Sequence, residues 1–567
     1  MKRPSTIFYY FLLIWGILNL VQSFLTPIHN DEAYYWMYSK YLAWGYYDHP
    51  PMIAVMIRAG YELFNNELGT RLFVVLSQIA VLGIIWVLAD KEKRENQTAV
   101  IILILMVAVL PVMNIYGFIA APDSPLLLFT ALFLLFYRRF LNDENWLNTL
   151  GLGVIMAGLM YSKYHGAIML LLIIISNLSL LRKPKFYLAA VLSVALFIPH
   201  LYWQFSNDFP SIRYHLSERA AGFDFNNVPE YLFNQLLIHN PLLLPLFLWV
   251  IFRSTARDAF ERGLKYIVAG FFLFFFAASF RYSVQPQWTA LIRIPMMVLF
   301  INHAEFKSRN TVYIRRVSII LIPLFLFARA ALMIDFLPVS FLKDEFHSYR
   351  TRMAEFGKLA GDRPVVFTNS YQNPSVYTFY TGKFAHTLDN KDYRKTQYDL
   401  WPFEEQIRGK EVLYIPHWLN DYYKMNLSVH VMPGSDTVYC RIFEDFQSLQ
   451  KECVLTGRSL SFSKSAEDSV ELKIFNPYSY SIDLKHPVFP VVFHAAFYRR
   501  DGYLELRRKL DFPEGFTFPA PGDTIRITAR FRIDELPEGE YRFAILSETG
   551  ILYDTFSSRF SKAMVSR

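Results

Sequence analysis

Long apolar runs separated by short polar breaks fill the first part of the chain. They lie at Ile7 to Leu25, Thr70 to Ala89, Thr98 to Phe118, Ser124 to Phe140, Leu147 to Met160, Ala167 to Leu181, Phe186 to Trp203, Tyr231 to Phe252, Tyr266 to Phe280, Trp288 to Ile301 and Val312 to Ile334. A helix needs roughly 20 apolar residues to cross a bilayer, so this pattern predicts about eleven spans, the shorter ones tilted or extended by their loops. Lys2 and Arg3 before the first run resemble the start of a signal peptide. That run is long enough to span, and no small-x-small cleavage site follows, so it is read as an uncleaved first helix.

From about Asp335 the pattern changes. Charges become frequent, and short alternating segments such as Val365 to Asn369, Val412 to Ile415 and Ile525 to Phe531 predict strands. A helical run, Ser348 to Leu359, sits among the first of them and predicts an α/β layer. Later strands are broken by turns at Pro433-Gly434, Pro521-Gly522 and Pro537-Glu538-Gly539, which predict a β-sandwich. The expected domains are residues 1–335 in the membrane, 336–430 as an α/β domain and 431–567 as a β-rich domain.

Composition agrees with this division. Of 567 residues 53% are hydrophobic and 17% aromatic, more than a soluble chain usually carries. The net charge of +8 would suit nucleic-acid binding in a soluble protein. Here the cations fall mostly between apolar runs, where they read as topology signals and argue against a nucleic-acid partner. Lys2, Arg3, Lys91, Lys93, Arg94, Arg138, Arg139, Arg182, Lys183, Lys185, Arg253, Arg257, Arg262, Lys265, Lys307, Arg309, Arg315 and Arg316 share one side, which the positive-inside rule makes cytoplasmic. The other side has chiefly Lys40, Arg58, Lys163, Arg213, Arg219 and Arg281. An odd number of spans then puts the C-terminal region outside. Two cysteines, Cys440 and Cys453, allow one disulfide or two unconnected thiols and no Cys-based zinc site.

The outward side collects the polar chemistry. Its first loop, Thr26 to Pro51, sets Asp31, Glu32, Asp48 and His49 among Tyr34, Tyr35, Trp36, Trp44, Tyr46 and Tyr47. Further along come Asp123, then Lys163, Tyr164 and His165, then His200, Trp203 and Gln204, and finally Arg281, Gln287 and Trp288. Ionisable groups cost about 2.5–3.5 kcal/mol each at a helix centre, so their gathering at span ends on one side points to a shared polar cavity. Each has a plainer reading: Asp31 or Asp123 as a helix cap, Asp48-His49-Pro50-Pro51 as a rigid turn, Lys163 and Arg281 as snorkelling cations, the aromatics as an interfacial belt. Their joint occurrence favours a site.

The order of these motifs is the further clue. Outward Asp-Glu with aromatics, Gly-Tyr-Tyr-Asp-His-Pro-Pro, Arg71 opening the second span, Ala-Pro-Asp-Ser-Pro, Ser-Lys-Tyr, Pro-His-Leu-Tyr-Trp-Gln and a late Gln-Trp together resemble the polyprenyl-phosphate-dependent GT-C glycosyltransferases. The likeness is to the bacterial dolichyl-phosphate-mannose-protein mannosyltransferase-like group and the aminoarabinose lipid A transferases, and it covers about residues 5–300. It implies a GT-C-like membrane domain in a bacterial inner membrane, followed by an extracytoplasmic α/β plus β-sandwich region. It also implies transfer of a sugar, with inversion, from a polyprenyl-phosphate donor to a hydroxyl or phosphate of a cell-envelope protein, lipid or glycan. On that resemblance Asp31 is the general base or orients the acceptor, with Asp123 and Glu32 beside it. Lys163, Arg58, Arg71 and Arg281 are the candidates for the lipid phosphate, and Asp48, His49, Tyr47, Tyr164, His200, Trp203, Gln287 and Trp288 for the substrates. No cofactor is certain, and a divalent ion on Asp48, His49 and His200 is left open. Where the lipid A transferases carry Glu-Lys before the Pro-Pro pair, this loop has Asp48-His49, keeping a carboxylate and losing a lysine. A transporter or flippase of a lipid-linked sugar is the competing reading.

Overall fold

The computed structural model describes residues 3–215, 223–305, 309–416, 428–431, 437–463, 468–550, 552 and 554–566. Arg219, Lys2, Lys307 and the Pro433-Gly434 turn lie outside them. The chain forms two compact units, Met1–Tyr349 and Arg350–Arg567.

Among the described residues the first unit is built of helices and loops, with no strand. Its elements are α1 (Pro4–Leu25), α2 (Asn30–Lys40), α3 (Met52–Tyr61), α4 (Glu67–Leu88), α5 (Lys91–Glu95), α6 (Gln97–Val109), α7 (Pro111–Ile115), α8 (Asp123–Asn142), α9 (Trp146–Ser162), α10 (His165–Ser176), α11 (Pro184–Ser206), α12 (Pro210–Arg213), α13 (Asn227–Ile238), α14 (Leu244–Arg253), α15 (Ala259–Ser279), α16 (Arg293–His303) and α17 (Arg309–Met333). Six of these, α1, α4, α8, α11, α15 and α17, are long and apolar enough to cross a membrane, and α3, α6, α9, α10 and α14 are shorter apolar helices. This is a multi-helix membrane protein. One apolar cluster, from Phe8 and Trp86 through Leu134 and Phe271 to Phe300, runs through the bundle.

Each expected span contains helix, but four are interrupted, Ala167 to Leu181 among them at Asn177, where α10 gives way to a 3₁₀ turn, Leu178–Arg182. Thr98 to Phe118 breaks between α6 and α7, where Pro111 lacks the N–H that a continuous helix would use. Tyr231 to Phe252 breaks between α13 and α14, where Asn240 has φ 73°. Its side chain binds Val109 O at 2.8 Å and two amides of its own turn, from Leu242 and Leu243. Trp288 to Ile301 begins as a 3₁₀ helix, Pro286–Ile292, before α16.

The second unit contains two sheet systems. Strands β1 (Val365–Thr368), β2 (Ala385–Leu388), β3 (Val412–Ile415), β4 (Ser428–Val431) and β5 (Thr437–Phe443) form a sheet in the order β2-β1-β3-β5-β4. β1 is parallel to β2 and β3, with Val365 opposite Ala385 and Leu413, and β5 is antiparallel to β3. The α/β sheet therefore extends to Phe443, beyond the 430 boundary expected from the pattern. The helices Tyr349–Ala360 and Gln372–Thr381 accompany it.

The sandwich uses β6 (Val454–Leu455), β7 (Ser459–Ser463), β8 (Asp468–Phe475), β9 (Val491–Tyr498), β10 (Leu504–Lys509), β11 (Thr524–Phe531), β12 (Gly539–Thr549), β13 (Thr555–Phe556) and β14 (Ser561–Ser566). One sheet runs β10-β9-β12-β14-β7 with β13 on β12, and the other runs β11-β8-β6. Phe462, Leu472, Phe493, Phe497, Phe531 and Phe543 close a core between them. Cys440 and Cys453 are free and buried, and burial pushes the Cys453 thiol up to about 12.

Candidate active site

The site is built on the loop between α1 and α3. His29, not Asp31, caps α2: its ring accepts from Asp31 N at 3.2 Å, while the Glu32 carboxylate reaches back to His29 N at 3.1 Å. This is a capping box with histidine in the place of serine. Asp123 does not cap α8 either.

Glu32 is wholly buried and fully engaged. Its Oε1 accepts from Arg71 Nε at 2.8 Å and from Ala120 N at 2.7 Å, and its Oε2 pairs with Arg71 Nη2. Burial pushes the Glu32 carboxyl up, but the Arg71 guanidinium and the amide hydrogen bonds outweigh it and hold the carboxyl below its ordinary value. Arg71 donates its remaining N–H groups to Ser23 O, Thr26 O and Pro27 O. All five of its donors are thus used within the protein, which leaves none for a lipid phosphate. Arg71 fastens the α1–α2 turn to α4.

Asp31, one residue before Glu32, is half-buried. Asp31 and Asp123 both lie within electrostatic reach of the Tyr116 hydroxyl, and so does Arg293. Asp123, at the first turn of α8, receives Lys163 Nζ on both oxygens at 2.9 Å. Lys163 is 7% exposed and is a buried partner, not a snorkelling cation. Arg293 is 1% exposed and donates to Gln78 Oε1 at 2.7 Å and to Val112 O at 2.8 Å.

The second half of the loop docks on α10 and α11. Tyr38 donates to Asp48 Oδ1 at 2.5 Å and stacks on Tyr46 at 3.9 Å between ring centroids. His200 Nδ1 meets Trp44 O at 2.7 Å, so that nitrogen carries the proton, and Nε2 accepts from Tyr164 at 3.0 Å. Gln204 continues the chain to Tyr164 and Ser211, and Ser211 donates to Tyr46 O. Tyr46 N to His49 O at 3.0 Å closes the turn before the two prolines. His49 Nε2 faces the Tyr35 hydroxyl at 3.4 Å, Tyr47 packs against Tyr214, and Trp203 lies along His200.

The remaining candidates sit apart from this core. Arg58 is exposed and pairs with Glu62 one turn away, and Arg281 is exposed. Gln287 bonds Gln285, and Trp288 packs on His165, Phe275 and Tyr282. Asp48, His49 and His200 do not bring their ligand atoms together as a metal would need; among the described residues only His494, Glu548 and Asp554 do. That trio already holds Arg507, which pairs with both carboxylates. Neither group fits a metal as it stands.

Tyr116, Arg293, Gln78 and His215, whose Nε2 meets Asp48 O at 3.3 Å, were not singled out from the sequence. Arg293 did carry a signal, since a cation inside the apolar run Trp288 to Ile301 calls for a partner.

Over 76% of its length the chain superposes, with a TM-score of 0.55 and 14% identity, on 97% of the crystal structure of ArnT from Cupriavidus metallidurans bound to undecaprenyl phosphate. The fold is that of the GT-C glycosyltransferases. Residues 48–203 match the family model described as dolichyl-phosphate-mannose-protein mannosyltransferase. The chain is also 28% identical over 257 residues to the lipid A galacturonosyltransferase RgtD of Rhizobium johnstonii, covering 42% of this chain and 52% of that protein. The chain thus spans about half the length of the curated relative it matches. In the GT-C fold described here, the matched stretch 48–203 carries Asp48, Arg71, Asp123, Lys163 and His200, while Asp31 and Glu32 precede it.

Proposed function

We propose that this chain is a glycosyltransferase of a bacterial inner membrane, moving a sugar from a polyprenyl-phosphate donor to an acceptor on the outer face. The observation that carries the reading is the division of labour between adjacent carboxylates. Glu32 is locked by Arg71 and Ala120 N, whereas Asp31, at the start of α2, is half-buried and within electrostatic reach of the Tyr116 hydroxyl, as is Asp123. Glu32 holds the loop, and Asp31 acts.

In this reaction Asp31 accepts the proton of the acceptor hydroxyl as its oxygen attacks the anomeric carbon. The bond from that carbon to the phosphate oxygen breaks, and the configuration inverts. A positioned base contributes about 10²- to 10⁴-fold. The departing lipid phosphate gains negative charge, and Lys163, paired with Asp123, is the cation that receives it. Asp48, Tyr164, His200 and Trp203 form the adjoining wall that would face a substrate. RgtD's name makes a galacturonic acid donor and a lipid A acceptor the first pair to try.

The test is transfer by the full chain in liposomes from undecaprenyl-phosphate-linked galacturonic acid, aminoarabinose and mannose into envelope extract, beside Asp31→Asn. The native chain should release undecaprenyl phosphate, and the variant should transfer about a hundredfold less or worse with an unchanged melting temperature. Movement of intact lipid-linked sugar across the liposome, without bond cleavage, would instead make the carboxylates a transport site.

A further inference from the structure

Asp123 is paired with one cation and lies in the field of a second. Lys163 reaches it from the end of α9 and covers both of its oxygens at 2.9 Å. Arg293, from α16, lies beyond ion-pair distance but within its field, as does Tyr116. Tyr116 also lies in the field of Asp31. The two cations differ in freedom. Lysine is a compact ammonium on a flexible stem, able to turn toward another anion. Arg293 is clamped, its Nη2 on Gln78 Oε1 and its Nη1 on Val112 O, and Gln78 itself reaches Ser124 O beside Asp123 at 3.5 Å.

Both clamps are neutral, and among the described residues Arg293 has no carboxylate within 4 Å and its Nε has no hydrogen-bond partner. A guanidinium 1% exposed and held only by neutral groups is expensive to keep inside a membrane unit unless its charge is used. Lys163 explains the use. While it sits on Asp123 its charge is neutralised; when it turns to a phosphate, Asp123, 3% exposed, would be left as a bare buried carboxylate.

We infer that Arg293 is a positioning residue that balances Asp123 when Lys163 leaves it for the lipid phosphate. The inference rests on the transferase reading above. Arg293 touches neither phosphate nor sugar; it makes the lysine available.

The experiment measures binding of undecaprenyl phosphate to the full chain in lipid nanodiscs, with melting temperature recorded for each variant. Arg293→Gln should bind about tenfold more weakly or worse, because Lys163 stays on Asp123, and Arg293→Lys should stay within about threefold of native because it keeps the charge. The decisive variant is Arg293→Gln with Asp123→Asn. Without a carboxylate to hold Lys163, it should regain binding to within about threefold of native, which a merely structural role for Arg293 would not produce.

Native-like binding by Arg293→Gln, or a double variant as weak as the single one, overturns the inference. If the glutamine variant does not fold, Arg293→Lys carries the test alone, and a tenfold loss there is the overturning result. A native chain that binds no undecaprenyl phosphate fails the transferase reading itself and takes this inference with it; native binding with indifferent Arg293 variants sinks the inference alone.

Discussion

Arg71 and Arg293 are equally buried but differ in their partners: a carboxylate for one, neutral oxygens for the other. For Arg71 the consequence is structural. Glu32→Gln should lower stability by about 3–5 kcal/mol, the usual effect of stranding one half of a buried pair, and Arg71→Met should do the same. The double variant should lose less than the sum, which thermal melting in detergent measures. The sequence set Asp31, Glu32, Asp123 and Lys163 on one side, because charges at span ends are rare enough to be noticed, and Lys163 does pair with Asp123. The sequence did not show which of Asp31 and Glu32 is locked. That depends on Ala120 N and on three carbonyls of the α1–α2 turn, and backbone groups have no signature in residue identity.

At the scale of elements, apolar run length made the helices legible, and the interruptions at Pro111 and Asn240 were less so because the flanking residues stay apolar. The loop from Thr26 to Pro51 is shaped by its docking. Gly45 packs so closely on α11 that a Cβ there would overlap the Trp203 ring and come within 2.9 Å of His200 Nδ1. Gly45→Ala should therefore push the His200 ring off Trp44 O and loosen the wall formed by His200 and Tyr164. We expect KM for the acceptor to rise about tenfold with little change in melting temperature, as read from transfer kinetics. The alternation of aromatic and charged residues marked this loop as unusual, but its dependence on one glycine needs the neighbouring helix to be seen.

At the scale of the whole molecule, composition changes near Asp335, while the two compact units divide at Tyr349. The far end of the α/β sheet was missed because β5 looks no different from a sandwich strand in isolation. The second unit also contains a carboxyl pair, buried Asp389 and half-buried Asp399. Burial pushes both up, and the charge of Asp399 pushes Asp389 further. A carboxyl with a raised folded pKa keeps a proton that the unfolded chain releases. Its contribution is therefore present at low pH and fades as pH climbs from about 4 through the folded value. Asp389→Asn should remove that slope, so the stability difference between variant and native chain should move in the variant's favour as pH rises, followed by hydrogen exchange of residues 350–567 in the full chain.

The first unit, for its part, is closed by its last pieces. The Phe118 ring lies 5.6 Å from the guanidinium carbons of both Arg71 and Arg329, and Arg329 on α17 binds Asn19 and Asn114. Just beyond α17, Glu345 accepts from Asn30, the residue next to Asp31, at 2.7 Å, and the Tyr349 hydroxyl lies 3.3 Å from the same amide. This loop is thus pinned by residues made about 315 positions later in the chain. A nascent chain halted before Arg329 would display Asp31 with half of its scaffold missing, so the site is completed only when synthesis of the bundle has ended.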